Sequence, residues 1–96
     1  MIRHYFLWKT SDTEFSSAVL QQLTDLVAAT GVSATAGEHE GVSPTGKEWS
    51  GAFTADFATK QDLDTFMGSP EHRTVVAQIA PSLDDVAIVD VEVGSH

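Results

Sequence analysis

Residues 59–76 read TKQDLDTFMGSPEHRTVV, and the break in the middle of this stretch organises the chain around it. Apolar residues recur at helical spacing on both sides of the break. Ser69 followed by Pro70 is typical of a helix start, because serine caps the first turn and proline fits inside it. We therefore predict a short helix over residues 60–67 and a second helix from Pro70, which places His72 in its first turn.

Four other segments have the alternation, or the β-branched and aromatic content, of strands. They are residues 2–9, 32–40, 49–57 and 85–93, and a longer helix is predicted over residues 13–29. The order is β-α-β-β-α-β with a broken second helix. This order predicts an α+β, ferredoxin-like fold, in which helices cover one face of a four-stranded antiparallel sheet.

The last predicted strand is apolar on both faces. Val86 and Ile88 lie on one face, while Val89 and Val91 lie on the other. The helices can cover only one of these faces. We therefore expect a homodimer in which two sheets pack face to face.

Composition and charge exclude several classes of partner. The chain has 96 residues, a formal net charge of −9, five scattered lysines and arginines, and no cysteine. Such a charge disfavours nucleic acid and anionic membranes as partners. No apolar run approaches the ~20 residues of a membrane span, and no signal peptide is recognisable. We expect a single cytoplasmic domain over residues 1–93, and residues 94–96, Gly-Ser-His, are typical of a tag remnant.

Two histidines and one aspartate are candidates for chemistry. His4 lies on the same strand face as Phe6 and Trp8, and Asp90 interrupts an apolar strand. The first and last strands are neighbours in this topology, so Asp90 can contact His4 and fix its tautomer. The alternative is an ordinary core histidine at position 4 and a surface histidine at position 72.

Several short motifs in this order resemble the stress-responsive dimeric α+β barrel family, Dabb. They are MIRH at residues 1–4, Trp49, FATKQDLDTFMGSPEH at residues 57–72, and VDVE at residues 89–92. The resemblance covers nearly the whole chain. It implies a ferredoxin-like subunit, a sheet-on-sheet homodimer, and a pocket between the sheet and the helices.

The resemblance extends to cofactor-free polyketide cyclases, although similar plant stress proteins have no known activity. In the cyclases the histidine at the position of His72 is the general base of an aldol condensation, and the one matching His4 lines the pocket. Two positions depart from the cyclases. Phe66 replaces a tyrosine, and Gly51 replaces a histidine, which leaves space without an imidazole.

These features lead to the hypothesis of a small cyclase or lyase that uses neither a metal nor a redox cofactor. Neutral His72 would remove an α-proton, and His4 would hydrogen-bond the substrate oxygen. The substrate would be a small molecule of aromatic or polyketide type. Aromatic residues that can form the pocket walls, or equally the plain core, are Phe6, Trp8, Phe53 and Phe66.

Two other functions remain open. One is a cofactor-free monooxygenase, because the same dimeric barrel carries such enzymes. The other is a non-catalytic stress-response protein that binds a small molecule.

Overall fold

A computed structural model describes residues 1–46 and 48–94. The elements follow the predicted order, with a 3₁₀ turn before the last strand. They are β1 (Ile2–Lys9), α1 (Thr13–Thr30), β2 (Ser33–Glu38), β3 (Gly51–Phe57), α2 (Lys60–Met67), α3 (Pro70–Ile79), the turn Ala80–Ser82, and β4 (Asp85–Glu92). Residues 95 and 96 of the predicted tail lie outside the described residues.

The four strands form one antiparallel sheet in the order β2-β3-β1-β4. The predicted ferredoxin-like fold is therefore confirmed. The first and last strands are direct neighbours, and their register places His4 opposite Asp90. Residues opposite one another share a face, so both side chains lie on the helix side of the sheet.

Local signals fix the ends of the helices. The Asp12 carboxylate accepts a hydrogen bond from the backbone N–H of Phe15 at 3.1 Å, which caps α1. Gly31 ends this helix with φ of 69°, a left-handed conformation that suits glycine. The Ser69 hydroxyl accepts from the backbone N–H of His72 at 3.2 Å and starts α3.

Strands β2 and β3 are shorter than the sequence predicts. The ladder between β2 and β3 ends where Glu38 pairs with Gly51. Trp49, predicted to open the third strand, therefore precedes it. The segment between these strands contains the turn-forming GVSPTG of residues 41–46, which ends regular pairing earlier than alternation alone suggests.

The core lies between the helices and one face of the sheet. Trp8 and Val19 are completely buried at its centre. The other buried apolar residues come from α1, β3, α2 and the end of α3: Leu23, Leu26, Phe53, Ala55, Phe57, Leu63, Phe66 and Ile79. In the part of the chain that the structure describes, no helix is long and apolar enough to cross a membrane.

The opposite face of the sheet is largely uncovered by this chain. Val89 and Val91 are exposed there. Arg3 binds Asp56 on the same face through its Nε, 2.7 Å from Oδ1. An apolar stripe beside a paired arginine is consistent with the predicted packing of a second copy on this face.

Candidate active site

A cavity of about 160 Å³ lies between the helix side of the sheet and α3. His4 and His72 are the polar side chains in its lining, and the rest of the lining is apolar. The apolar residues are Phe6, Leu23, Leu26, Phe53, Met67, Val75, Val76, Ile79, Ala80, Leu83, Val86 and Ile88. The structure thus brings together the two histidines that the sequence singles out.

β1 places His4 in the floor of this cavity, where it is only 3% exposed. Its Nδ1 lies 2.5 Å from Oδ1 of Asp90, the residue opposite it on β4. A carboxylate accepts hydrogen bonds, so Nδ1 carries the proton and Nε2 is left for other partners. The edge of the His4 ring also packs against Phe53, with the ring centroids 6.4 Å apart. The predicted contact between His4 and Asp90 is present.

The capped start of α3 places His72 at the same cavity. The residue is partly buried, and its ring is tilted against Phe66 with the centroids 5.2 Å apart. Burial lowers the pKa of His72 below 6.5, and the electrostatic effect of the neighbouring His4 acts in the same direction. A hydrogen bond with the backbone of Met67 opposes this lowering of the pKa. The net effect favours a neutral imidazole.

The four aromatic residues predicted as pocket walls divide into two groups. Phe6 and Phe53 line the cavity. Trp8 does not, because its indole is fully buried in the core and donates from Nε1 to the Ser16 hydroxyl at 3.0 Å. Phe66 lies behind His72 rather than in the lining. We therefore place Trp8 outside the candidate site and assign Phe66 to supporting the imidazole.

The expectation that Gly51 leaves free space is wrong. A Cβ added to this glycine would meet Cζ2 of Trp8 at 2.2 Å. The indole therefore occupies the volume that a side chain at position 51 would need. Gly51 and Trp8 are directly opposed in the register of β1 and β3, which explains this close approach.

The aliphatic residues of the lining were not among those predicted for the site. Val75, Val76 and Ile79 follow His72 at spacings of three, four and seven residues, so they share its face of α3. The shared face of α3 was the sequence signal that could have identified these residues as part of the lining. An apolar helical face is equally typical of a core, and only the cavity distinguishes the two.

No group of three or more metal-binding side chains (His, Cys, Asp or Glu) occurs within residues 1–46 and 48–94. Near the other end of the sheet, His39 lies 3.6 Å from Glu48, measured between Nε2 and Oε2. This pair is separate from the cavity lining.

The whole of this arrangement, from residue 2 to residue 93, matches the family model of the stress responsive A/B barrel domain, Dabb. The chain belongs to the Dabb family. No curated protein sequence matches it.

Solved structures show the same Dabb-like fold. A dimeric ferredoxin-like protein of unknown function from Thermobifida fusca is 27% identical, with a TM-score of 0.81 over 96% of this chain and 90% of that chain. A hydroxynitrile lyase from Passiflora edulis is 12% identical, with a TM-score of 0.80 over 99% and 94% of the two chains. An antibiotic biosynthesis monooxygenase is 15% identical, with a TM-score of 0.72 over 99% and 100%.

The last two similarities concern the fold alone. Several structural neighbours, including the Thermobifida protein, are described as dimeric, which supports a homodimer for this Dabb chain.

Proposed function

We propose that this Dabb protein is a small cofactor-independent enzyme in which His72 is the general base for enolate or aldol chemistry, as in polyketide cyclases and lyases. The observation that carries the proposal is a partly buried imidazole of lowered pKa that faces an apolar cavity together with His4. A general base must be neutral to accept a proton, and an apolar cavity strengthens electrostatic interactions within it.

In this proposal His72 removes a proton from the carbon next to a substrate carbonyl. The electron pair moves toward the carbonyl oxygen, and in this proposal His4 acts in its doubly protonated form, so that its Nε2–H donates to the developing charge. Asp90 holds the Nδ1–H of His4 and balances the charge of the imidazolium. The enolate carbon then attacks a second carbonyl carbon, and His72 returns its proton to the alkoxide that this bond formation leaves. A lyase would run these steps in reverse: His72 takes the hydroxyl proton, the C–C bond breaks, and the enolate carbon receives the proton.

A homodimer belongs to the same proposal, with the outer face of the sheet as the contact between subunits. The dimeric neighbours support it. A cytoplasmic location stays a prediction from the sequence.

Proton exchange tests the proposed base without knowledge of the natural substrate. The probe is 1-phenylpropan-2-one, an uncharged ketone with one ring, and NMR in D₂O follows the exchange of its α-protons. The wild-type protein is expected to accelerate exchange. His72→Ala should lose a factor of about 10² to 10⁴, the usual contribution of a general base.

The matched control for this experiment is Arg73→Ala, because Arg73 is the exposed neighbour of His72 on α3. This variant should exchange at the wild-type rate. A folded His72→Ala protein that retains the wild-type rate would contradict the proposal and favour the non-catalytic alternative.

The monooxygenase alternative has weaker support from the cavity. A hydroxyanthrone-like substrate has three fused rings, and a space of about 160 Å³ is close to that of a single ring. Oxygen consumption with such a substrate, lost in His72→Ala, would nevertheless favour it over the cyclase or lyase proposal.

A further inference from the structure

We propose that the cavity between α3 and the sheet binds an uncharged molecule with a single benzene-sized ring, oriented by one polar group between His4 and His72. This inference names the ligand class, and it rests on the proposed function in taking this cavity as the substrate site. Size and polarity support it separately.

The size of the cavity limits the ligand. Its volume is about 160 Å³, and an engineered apolar cavity of about 150 Å³ in another protein is known to bind benzene. One six-membered ring therefore fills the enclosed space. Both the sheet and the helices contribute apolar walls: Phe6 and Phe53 lie on the sheet, and Val75 and Ile79 lie on α3.

The ligand can enter beside β4, where α3 does not fully cover the sheet. Three residues that line the cavity there are also exposed to solvent: Val86 (44%) and Ile88 (51%) on β4, and Val76 (42%) on α3. An apolar entrance suits an apolar ligand, because the ligand leaves water gradually along its path.

The lack of basic side chains in the lining and the nearby Asp90 carboxylate both oppose binding of an anionic ligand. Among the described residues, no lysine or arginine lines the cavity. The Asp90 carboxylate already binds Nδ1 of His4, and a second carboxylate beside this ring would be repelled by Asp90. A buried anion without a partner is costly, and the net charge of −9 acts in the same direction.

The two imidazoles also define the polar group that the ligand needs. The Asp90 carboxylate binds Nδ1 of His4, and the backbone of Met67 lies near enough to His72 to raise the pKa of its ring. The remaining nitrogens can serve one hydroxyl, carbonyl or amide group. A polar group on the side of the ring away from the two imidazoles would face apolar walls and stay unpaired.

The test compares three probes on the isotopically labelled full chain by NMR. Benzamide and benzoate have nearly the same shape and differ in charge, and 2-naphthamide adds a fused ring. Benzamide should shift the His4 and His72 ring signals in a saturable way and leave the distant His39 unchanged. Benzoate should bind roughly a hundredfold more weakly, because its charge loses solvation without gaining a partner.

The fused-ring probe should also bind more weakly than benzamide. Val75→Phe, which fills the cavity, should abolish benzamide binding, whereas Val42→Phe in an 85% exposed loop position should not. Because the filled variant can fail to fold, the comparison of probes on the wild-type protein stands on its own.

Three results would overturn the inference. Benzoate binding as tightly as benzamide would remove the charge argument, 2-naphthamide binding as tightly would remove the size argument, and no saturable shift with benzamide would remove the site. Failure of the proposed function has a different signature. In that case benzamide binds as expected, and proton exchange is the same in the wild type and in folded His72→Ala.

Discussion

The carboxylate of Asp90 lies 2.5 Å from Nδ1 of His4, and the two residues are directly opposed on adjacent strands. The imidazole is almost fully buried, whereas the aspartate side chain is 42% exposed at the edge of the sheet. The pair therefore connects a buried ring to a solvated charge. It fixes the tautomer of His4 and directs the free nitrogen to other partners.

The first prediction concerns this pair. Asp90→Asn should let His4 sample both tautomers, because an amide can donate as well as accept. We expect proton exchange of the ketone probe to slow while the fold is retained. Ring nitrogen shifts of His4 in long-range ¹H–¹⁵N spectra measure the tautomer. Glu92→Gln, an exposed carboxylate on the same strand and face, is the control, and an equal loss of activity there would contradict a specific role for Asp90.

The second prediction concerns the close approach of Trp8 to Gly51. Gly51→Ala should destabilise the protein by about 1 to 3 kcal/mol, because the new methyl group forces the buried indole to move. The measurement is the free energy of unfolding in urea. Gly37→Ala is the matched control, because Gly37 also lies in a strand and a Cβ there meets nothing within 4 Å. Equal stabilities of the two variants would contradict the packing argument.

The third prediction concerns the cap of α3. Ser69→Ala should cost about 1 kcal/mol, since the backbone N–H of His72 loses its acceptor. Ser69→Asp should restore most of this stability, because aspartate is also a good N-cap. If the cap also positions the imidazole of His72, proton exchange should fall in the alanine variant and recover in the aspartate variant. Unchanged exchange in both would limit Ser69 to a structural role.

The fourth prediction concerns pH. Because the folded-state pKa of His72 is lowered, the unfolded chain binds more protons than the folded chain at pH values between that pKa and 6.5. The lowered pKa of His72 therefore costs no stability above pH 6.5, the pKa of the unfolded chain. This cost to the free energy of unfolding grows as pH falls from 6.5 through the folded-state pKa. Replacing His72 with glutamine should remove this part of the acid destabilisation.

The measurement is the difference in unfolding free energy between the wild type and His72→Gln, followed from about pH 8 to about pH 5. The difference should be constant at the upper end, and the wild type should lose stability relative to the variant below 6.5. Proton exchange should keep its rate to a pH below 6.5, where an unperturbed histidine would be half protonated. If the unfolding free energies of the wild type and His72→Gln changed in parallel with pH, the lowered pKa of His72 would be contradicted.

The fifth prediction concerns the outer face of the sheet. Val89→Glu should place charges in the proposed contact between two subunits and dissociate the homodimer, because like charges repel across a two-fold interface. Sedimentation should give twice the 10.3 kDa chain mass for the wild type and a single-chain mass for the variant. Val42→Glu, in an exposed loop, should remain dimeric. A wild-type mass of one chain would contradict the dimer itself.

Much of the fold was predictable because its signals are local. Gly31 and the Ser69–Pro70 pair terminate or satisfy backbone hydrogen bonds within a few residues, so the sequence alone identifies them. For the start of α1 the sequence offers Ser11 and Asp12 equally, and the structure selects Asp12. The contact between His4 and Asp90 also followed, since a lone carboxylate in an apolar strand needs a partner and the predicted topology offered a neighbouring strand.

The sequence by itself determined the order of the elements, the face of β1 that holds His4, and the position of His72 in the first turn of α3. Only the tertiary structure decided which residues of that face meet the cavity. Alternation assigns His4, Phe6 and Trp8 to one face, but the distance of each from α3 depends on how the helices cross the sheet. Trp8 is therefore buried over Gly51, while His4 and Phe6 line the space that the helix leaves open, because packing joins parts of the chain that no local pattern relates.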